Sequence, residues 1–410
     1  MRGMTDHLTF GKRVKFYRQR RKLPQWQLGA LLGRSEDWVY RVETDRIPVN
    51  NVKMLMDLAD ALRVHLEDLR GTPTLLEDHG NHKASVPAIR AALMQSRRLS
   101  GSLFDDREPP RLERLAAEVD RAWSLFQSSE YAQLAVALPS LLADARLATH
   151  SYESGIEKAQ AFRWFALTQH VSAVYLRKLG ETDLALNAID QGDIAASETE
   201  DPAVILAVLR GVAHVQLGAG LAEEAVRVTV DAVRDLAPDW WKSSPVALSV
   251  YGTLHLNGAI AAARMRDRSL AEDVAKEMLK KAGRAAEELG ADGNEMWTSF
   301  GPGNVQIHRL ATALEFDEVD VDAVVDLAES VKKLTGLPIE RRARMRLDVA
   351  RAYGEADRTD DAVESLKRAY RTAPEQIRAH EFARDLARRL HKRTKRRDVQ
   401  ELAVALGAIK

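Results

Sequence analysis

The sequence predicts an all-α protein in two unequal parts: a unit of five short helices over residues 1–70 and a long helical-repeat solenoid over 111–410, joined by a partly helical linker, 71–110. Three observations predict this. Apolar residues recur at three- and four-residue spacing through most of the chain. Glycine, proline and small polar residues interrupt these stripes at helix-length intervals. A small–aromatic–small pattern of the kind that stacks helix pairs returns in the second half.

The balance of charge supports the division. Lys+Arg and Asp+Glu both number 60, but residues 1–70 hold 14 basic and 9 acidic residues and the remainder holds 46 and 51. A basic head on an acidic body suits a head that meets an anion. The absence of cysteine excludes disulfides, thiol catalysis and cysteine-ligated zinc. No apolar run approaches the roughly 20 residues that span a bilayer, and Met1 to Gly11 lacks the apolar core of a signal peptide. The expectation is a soluble cytoplasmic protein with no membrane partner and no cofactor.

The head is justified helix by helix. Phe10, Val14 and Tyr17 form the apolar stripe of a first helix ending near Arg21. Pro24 suits the first turn of a second, where a missing N–H costs little; Leu28, Leu31 and Leu32 are its buried stripe and Gly33 its C-terminal stop. Ser35 caps a third helix through Val42, with Val39 and Val42 inward. Asp45 to Asn50 is a turn. Val52, Leu55, Leu58, Ala59 and Leu62 mark a fourth helix, and Leu66 and Leu69 close the unit.

Two short helices joined at a glycine inside five resemble the lambda-repressor-like helix-turn-helix domain of the Xre and phage-repressor family. Arg18, Gln25, Leu28, Gly33, Ser35, Val39, Val42, Glu43 and the L-A-D-A-L stretch at Leu58–Leu62 carry the resemblance. It implies that Arg18 pairs with Glu43, locking helix 1 to helix 3; that Gln25 touches a phosphate; and that helix 3 lies in the major groove of double-stranded DNA. It also implies a homodimer reading two half-sites. The chain departs from the family at Gly29, where alanine is usual and the smaller glycine is expected to be tolerated, and at Asp45, where glycine is usual and Asp tolerates left-handed geometry.

Glu36 and Asp37 stand in the first turn of helix 3, where a repressor faces a polyanion. Their leading role is favourable interaction with the helix dipole, worth about 0.3–1 kcal/mol; the second is base reading, since a carboxylate accepts from cytosine N4. Arg41, one turn on, is the stronger candidate for a base contact, because arginine to guanine is the commonest specific pairing. Arg34, Arg46 and Lys53 flank the helix and suit phosphates. Trp38 either joins the interface or only packs on helix 2.

Glycine and proline interrupt 71–110, with a short helix possible at Ala88–Leu93. Beyond, "LDVARAYGEADRTDDAVESLKRAYRTAPE" (Leu347–Glu375) sets Ala350, Tyr353, Ala362, Leu366, Ala369 and Pro374 at the spacing of a tetratricopeptide repeat, in which small residues let two helices cross closely and the proline ends the second. Weaker copies place Gly180 before Ala185 and Gly220 before Ala225. About seven helical pairs are expected, curved around a concave groove.

An Xre-type head on such a body resembles the peptide-sensing quorum regulators of Gram-positive bacteria and, more closely, actinobacterial Xre–TPR regulators, in which a stretch like "FGPGNVQIH" (Phe300–His308) recurs. The resemblance implies a signalling peptide, or second a small metabolite, in the groove. Candidate contacts are Asn257, Arg264, Trp297, Asn304 and His308. Asn257 either lines the groove or is a satisfied core amide; Trp297 and Phe300 chiefly fill the gap beside Gly301-Pro302-Gly303; His308 reads first as a buried structural histidine. Trp240-Trp241 either covers a repeat edge or offers a binding surface. The basic segment Ala383–Arg397 reads first as a solvated helix face and second as another DNA or partner contact.

No phosphate-binding glycine loop, H-E-x-x-H or G-x-S-x-G is present, and the 11 histidines lack metal spacing, so no enzyme is expected. The reading is a sequence-specific transcription regulator whose body senses a ligand. The alternative is a protein–protein adaptor with a weakly DNA-binding or dimerising head.

Overall fold

A computed structural model describes residues 9–409 apart from 48, 50, 51, 63, 65–68, 70–81, 95–106, 236–239, 317–320 and 332–336. The described residues form helices and turns without a strand.

The head contains α1 (Phe10–Arg20), α2 (Gln25–Leu31), α3 (Glu36–Glu43) and α4 (Val52–Leu62). The fifth expected helix, and Leu66 with it, falls outside the described residues except for Leu69, which is buried. Val14, Leu28, Val39, Val42, Leu58 and Leu62 meet in one core, each side chain stabilising by roughly 1.5–3 kcal/mol on burial. Leu31, expected inside, is 60 % exposed, because α2 is only two turns long and its core face is already filled by Leu28. Pro24 precedes α2 as its cap residue, and Ser35 caps α3 by accepting from the Trp38 N–H at 3.1 Å.

Both departures from the family that the head resembles have structural reasons. A Cβ at Gly29 would lie 2.6 Å from the Arg34 carbonyl oxygen. Alanine does not fit there, so glycine is required by this crossing rather than merely tolerated. Asp45 sits at φ 54 and accepts from the Gly11 N–H at 3.0 Å and the Thr9 hydroxyl at 2.6 Å. Its carboxylate thereby ties the turn after α3 to the positive end of α1, a task glycine could not perform.

The body begins earlier than the sequence suggests. Helix α5 (His82–Met94) buries Ile89 and Leu93 in the body core, and its Ala92 carbonyl accepts from Arg146 at 2.6 Å. The helix expected inside the linker is therefore longer and belongs to the solenoid. Antiparallel pairs follow: α6 (Leu112–Gln127) with α7 (Tyr131–Ser151), α8 (Gly155–Lys178) with α9 (Thr182–Ser197), α10 (Pro202–Gly218) with α11 (Ala222–Asp235), α12 (Pro245–Ala262) with α13 (Arg268–Leu289), α14 (Pro302–Ala313) with α15 (Val321–Val331), and α16 (Ile339–Glu355) with α17 (Thr359–Thr372). The short α18 (Pro374–Ala379), α19 (Glu381–Thr394) and α20 (Arg397–Ala405) end the chain. Ala350, Tyr353, Ala362, Leu366 and Ala369 are all buried in the α16–α17 region. Pro374 opens α18 instead of simply ending α17.

The expected open groove is closed. Helix α16 packs back on α6. Lys178, at the end of α8, donates to the Glu340 carboxylate at the start of α16 at 2.6 Å. The Ser129 hydroxyl donates to Gln376 at 2.9 Å, and the side-chain amides of Gln127 and Asn294 exchange two hydrogen bonds of 2.9 Å. The repeats turn far enough that the late helices meet the early ones, and polar side chains clasp the seam.

The basic C-terminal segment neither faces open solvent along its length nor presents a bare cationic strip. Arg384 donates to the Arg378 carbonyl, Arg388 to that of Ala408, and Arg393 to Asp357. Asp385, Arg388, Arg389 and Lys392 of α19 face Phe10, Asp45, Ile47 and Val49 of the head, and Arg13 pairs with Glu381 at 3.6 Å.

Candidate functional site

Two places concentrate exposed or unbalanced chemistry: the outer face of α3 and the interior of the closed solenoid. On the head, Arg18 places Nε and Nη2 on the two carboxylate oxygens of Glu43, Nη2 at 3.0 Å. Gln25, expected at a phosphate, donates its side-chain N–H to Glu43 Oε2 at 2.8 Å. This buried cluster welds α1, α2 and α3 into one rigid body, and its charge-assisted bonds are the strong kind.

The outer face is cationic and aromatic. Arg41 is 49 % exposed, with Asp37 one turn before it at 3.9 Å and 74 % exposed. Arg34 lies over the Trp38 ring at 5.9 Å and Arg46 over the Tyr40 ring at 5.2 Å. Trp38 is therefore half-buried yet also part of the outer surface. Stacking leaves both guanidinium edges free to donate and holds them in place. Glu36 is exposed in the first turn beside Asp37. Lys53 lies in α4, but its side chain is outside the described residues. Trp26, 60 % exposed on α2, and Tyr40 were not among the sequence candidates. Both lie off the apolar stripes, and a large aromatic on a polar face was the signal available.

Inside the body the helices line a partly open cavity of about 160 Å³. Asn257, Arg264, Trp297 and His308 all line it. Asn257 reaches the Arg210 carbonyl at 3.4 Å. Trp297 stacks on Trp123 with centroids 5.3 Å apart and donates to Asp120 at 2.9 Å. It is a cavity wall, whereas Phe300 fills a gap: a Cβ on Gly252 would fall 1.9 Å from its ring. Trp241 stacks on Tyr251 and covers a repeat edge; the Trp240 side chain is outside the described residues. Asn304, the fifth candidate, is fully buried behind the wall, not on it. Its backbone carbonyl accepts from His308 Nδ1 at 2.9 Å, the correction being that α14 turns its amide inward.

The missed residues are the cavity's other arginines, Arg177, Arg210, Arg341 and Arg344. Three carboxylates face it and each has a cation. Arg264 makes two 3.1 Å bonds to Glu315, Lys178 holds Glu340, and Arg344 makes two 3.1 Å bonds to Asp348. Burial would raise the Glu315 and Glu340 carboxyls, but Arg264 and Arg351 hold the first, and Lys178 and Arg341 the second, at about 2. Arg177, Arg210 and Arg341 line the same cavity; the carboxylate acting on Arg177 and Arg341 is Glu340, already bonded by Lys178, and the charge acting on Arg210 is that of Arg341. Burial first, and neighbouring arginines second, lower Arg177 and Arg210 to about 10. Burial and Arg341 lower His308 to about 3, and burial with Arg177 pushes His214 well below the histidine range. The interior is strongly positive and its histidines are neutral.

Residues 9–71 match the family described as "Helix-turn-helix domain". No curated protein matches the chain. The crystal structure of Bacillus thuringiensis PlcR in complex with the peptide PapR7 and DNA aligns over 68 % of this chain and 95 % of that chain, at 14 % identity and a TM-score of 0.30, too loose to carry an argument. The fold is all-α, a helix-turn-helix unit followed by a TPR-like solenoid, and the helix-turn-helix match suggests a DNA-binding regulator. Among the described residues no helix is long and apolar enough to cross a membrane and no group of side chains could hold a metal ion.

Proposed function

We propose that the protein is a sequence-specific, cytoplasmic transcription regulator whose solenoid senses a ligand in its central cavity and alters operator binding. The observation that carries the DNA part is the outer face of α3: exposed Arg41 flanked by ring-supported Arg34 and Arg46, on a head locked by Arg18, Glu43 and Gln25. Arg41 reads a guanine edge, Arg34 and Arg46 hold phosphates, and the homodimer sets two heads one helical turn apart. The sensing part is supported by the cavity itself. A cavity of about 160 Å³ suits a compact ligand better than a protein segment, which favours a sensor over an adaptor. Ligand binding shifts the population of DNA-competent arrangements only by its differential affinity for them.

The test is genome-wide mapping of bound DNA, followed by salt-titrated binding to the best site. A regulator gives discrete palindromic peaks, and Arg41→Ala weakens the specific site by roughly 1–3 kcal/mol. Diffuse, salt-fragile binding without a motif would overturn the reading.

A further inference from the structure

The geometry points to the solenoid cavity as a receptor for a small organic anion carrying at least two negative charges, phosphate or carboxylate, bound by Arg177, Arg210 and Arg341. The binding stands on the cavity alone; its consequence for DNA rests on the regulator reading.

Charge is the first argument. The facing carboxylates, Glu315, Glu340 and Asp348, are each held by their own cation. Arg177 and Arg341 share the charge of Glu340, which Lys178 already bonds, and Arg210 faces the like charge of Arg341. Arg210 is only 7 % exposed, and its Nε and Nη2 have no hydrogen-bond partner; Nε of Arg177 and of Arg341 is likewise unpartnered. Buried charges are normally paired, and a buried donor without a partner carries a full desolvation cost. Guanidinium groups from α8, α10 and α16 converging on one space supply the forked donors that match phosphate and carboxylate.

Size is the second. At about 160 Å³ the cavity falls below the usual range for drug-sized ligands, and the Gln127–Asn294 and Lys178–Glu340 bonds join the ring of helices beside it. A peptide of several residues exceeds that volume. The stacked Trp123 and Trp297 give the cavity one apolar, aromatic wall, so the anion carries an organic body beside its charged groups. Burial first, and the cavity's arginines second, depress the basicity of His214 and His308, so both histidines add no positive charge to the site.

The test uses the full-length protein, with pyrophosphate, citrate and a short acidic peptide as probes, titrated by calorimetry and by melting at constant ionic strength against chloride. Pyrophosphate or citrate is expected to bind stoichiometrically, and the tighter of the two identifies the phosphate or carboxylate source. Arg210→Met and Arg341→Gln are expected to weaken that binding tenfold or more, because each removes charge-assisted bonds. Arg210→Met should melt no lower than wild type without anion, since it deletes an uncompensated buried charge; a merely structural arginine would give a lower melting temperature. Failure of both anions to bind better than chloride, equal binding by the variants, or tighter binding of the peptide than of either small anion would overturn the proposal. Stoichiometric binding that leaves operator affinity unchanged would uphold the site and sink the sensing reading instead.

Discussion

The head and the body both bury charge, but they treat it differently. In the head, Arg18 finds both oxygens of Glu43, Gln25 donates to the same carboxylate, and Asp45 accepts from Thr9 and Gly11. Every one of these charges is answered locally. In the body, Glu315, Glu340 and Asp348 are each bonded by a cation, while Arg177 and Arg341 share the Glu340 that Lys178 already holds and Arg210 faces Arg341. The difference teaches that the head's buried charges are matched as folded, and its remaining cations lie outside. The body keeps more positive than negative charge around its cavity.

The largest effect should come from breaking the head's closed cluster. Arg18→Ala leaves Glu43 buried without its cation, and breaking a buried pair from one side costs about 3–5 kcal/mol. Circular-dichroism melting of the full chain should show an early transition absent from the wild type. Replacing both residues by apolar ones (Arg18→Met with Glu43→Leu) should recover much of the loss. A single mutant that melts like wild type would show that the cluster does not hold the head together.

Next is acid. The unfolded-state values of His308, Glu315 and Glu340 lie above their folded values of about 3, 2 and 2. The unfolded chain therefore binds more protons than the folded one as pH falls, and folding loses stability in acid. Neutral His308 contributes fully above about pH 6.5, its loss running from there down to about 3; the carboxylates contribute fully above about 4.5, theirs running down to about 2. The body's melting temperature should fall in that order. Glu340→Gln should flatten the lower part of the curve by at most about 3 kcal/mol, a ceiling set by its shift. A melting temperature level from pH 7 to 4 would contradict this account.

These contrasts also mark what the sequence disclosed. Local facts were legible: the burial of Val14, Leu28, Val39, Val42 and Leu58, the Ser35 cap, and the repeat residues from Ala350 to Ala369, because each depends on neighbours within a few turns. Gly180 and Gly220, at φ 77 and 87, were legible as turns for the same reason. The closure was not. It depends on Lys178 meeting Glu340 and Ser129 meeting Gln376, pairs 162 and 247 residues apart. Without closure, Arg177, Arg210 and Arg341 read as ordinary surface cations on amphipathic helices. Asn257, Arg264, Trp297 and His308 could be picked from their odd settings in apolar or broken helices, but the same rule chose Asn304, which α14 turns behind the wall. Helix α5 was missed as part of the body because its partners, Arg146 and Gln191, lie far along the chain.

The smallest effect sharpens the question of the acids on α3. Asp37 is 3.9 Å from Arg41, and both are well exposed, so the pair is worth only a few tenths of a kcal/mol. It can still aim Arg41, because an i,i+4 partner narrows the rotamers of a long side chain. Asp37 also opposes phosphate and favours the helix N-terminus. These roles separate in one variant. Asp37→Asn removes the charge at nearly constant size, so non-specific affinity should rise slightly as repulsion from the backbone is relieved. The ratio of specific to non-specific binding should fall about twofold as Arg41 loses its tether, corresponding to roughly 0.4 kcal/mol. The measurement is competition binding of the mapped site against random DNA at two salt concentrations. An unchanged ratio with higher affinity for both DNAs would reduce Asp37 to a dipole partner that binding merely tolerates. A tenfold collapse of the ratio would instead make Asp37 a reader in its own right, accepting from a cytosine, and would move the discriminating contact one turn towards the start of α3.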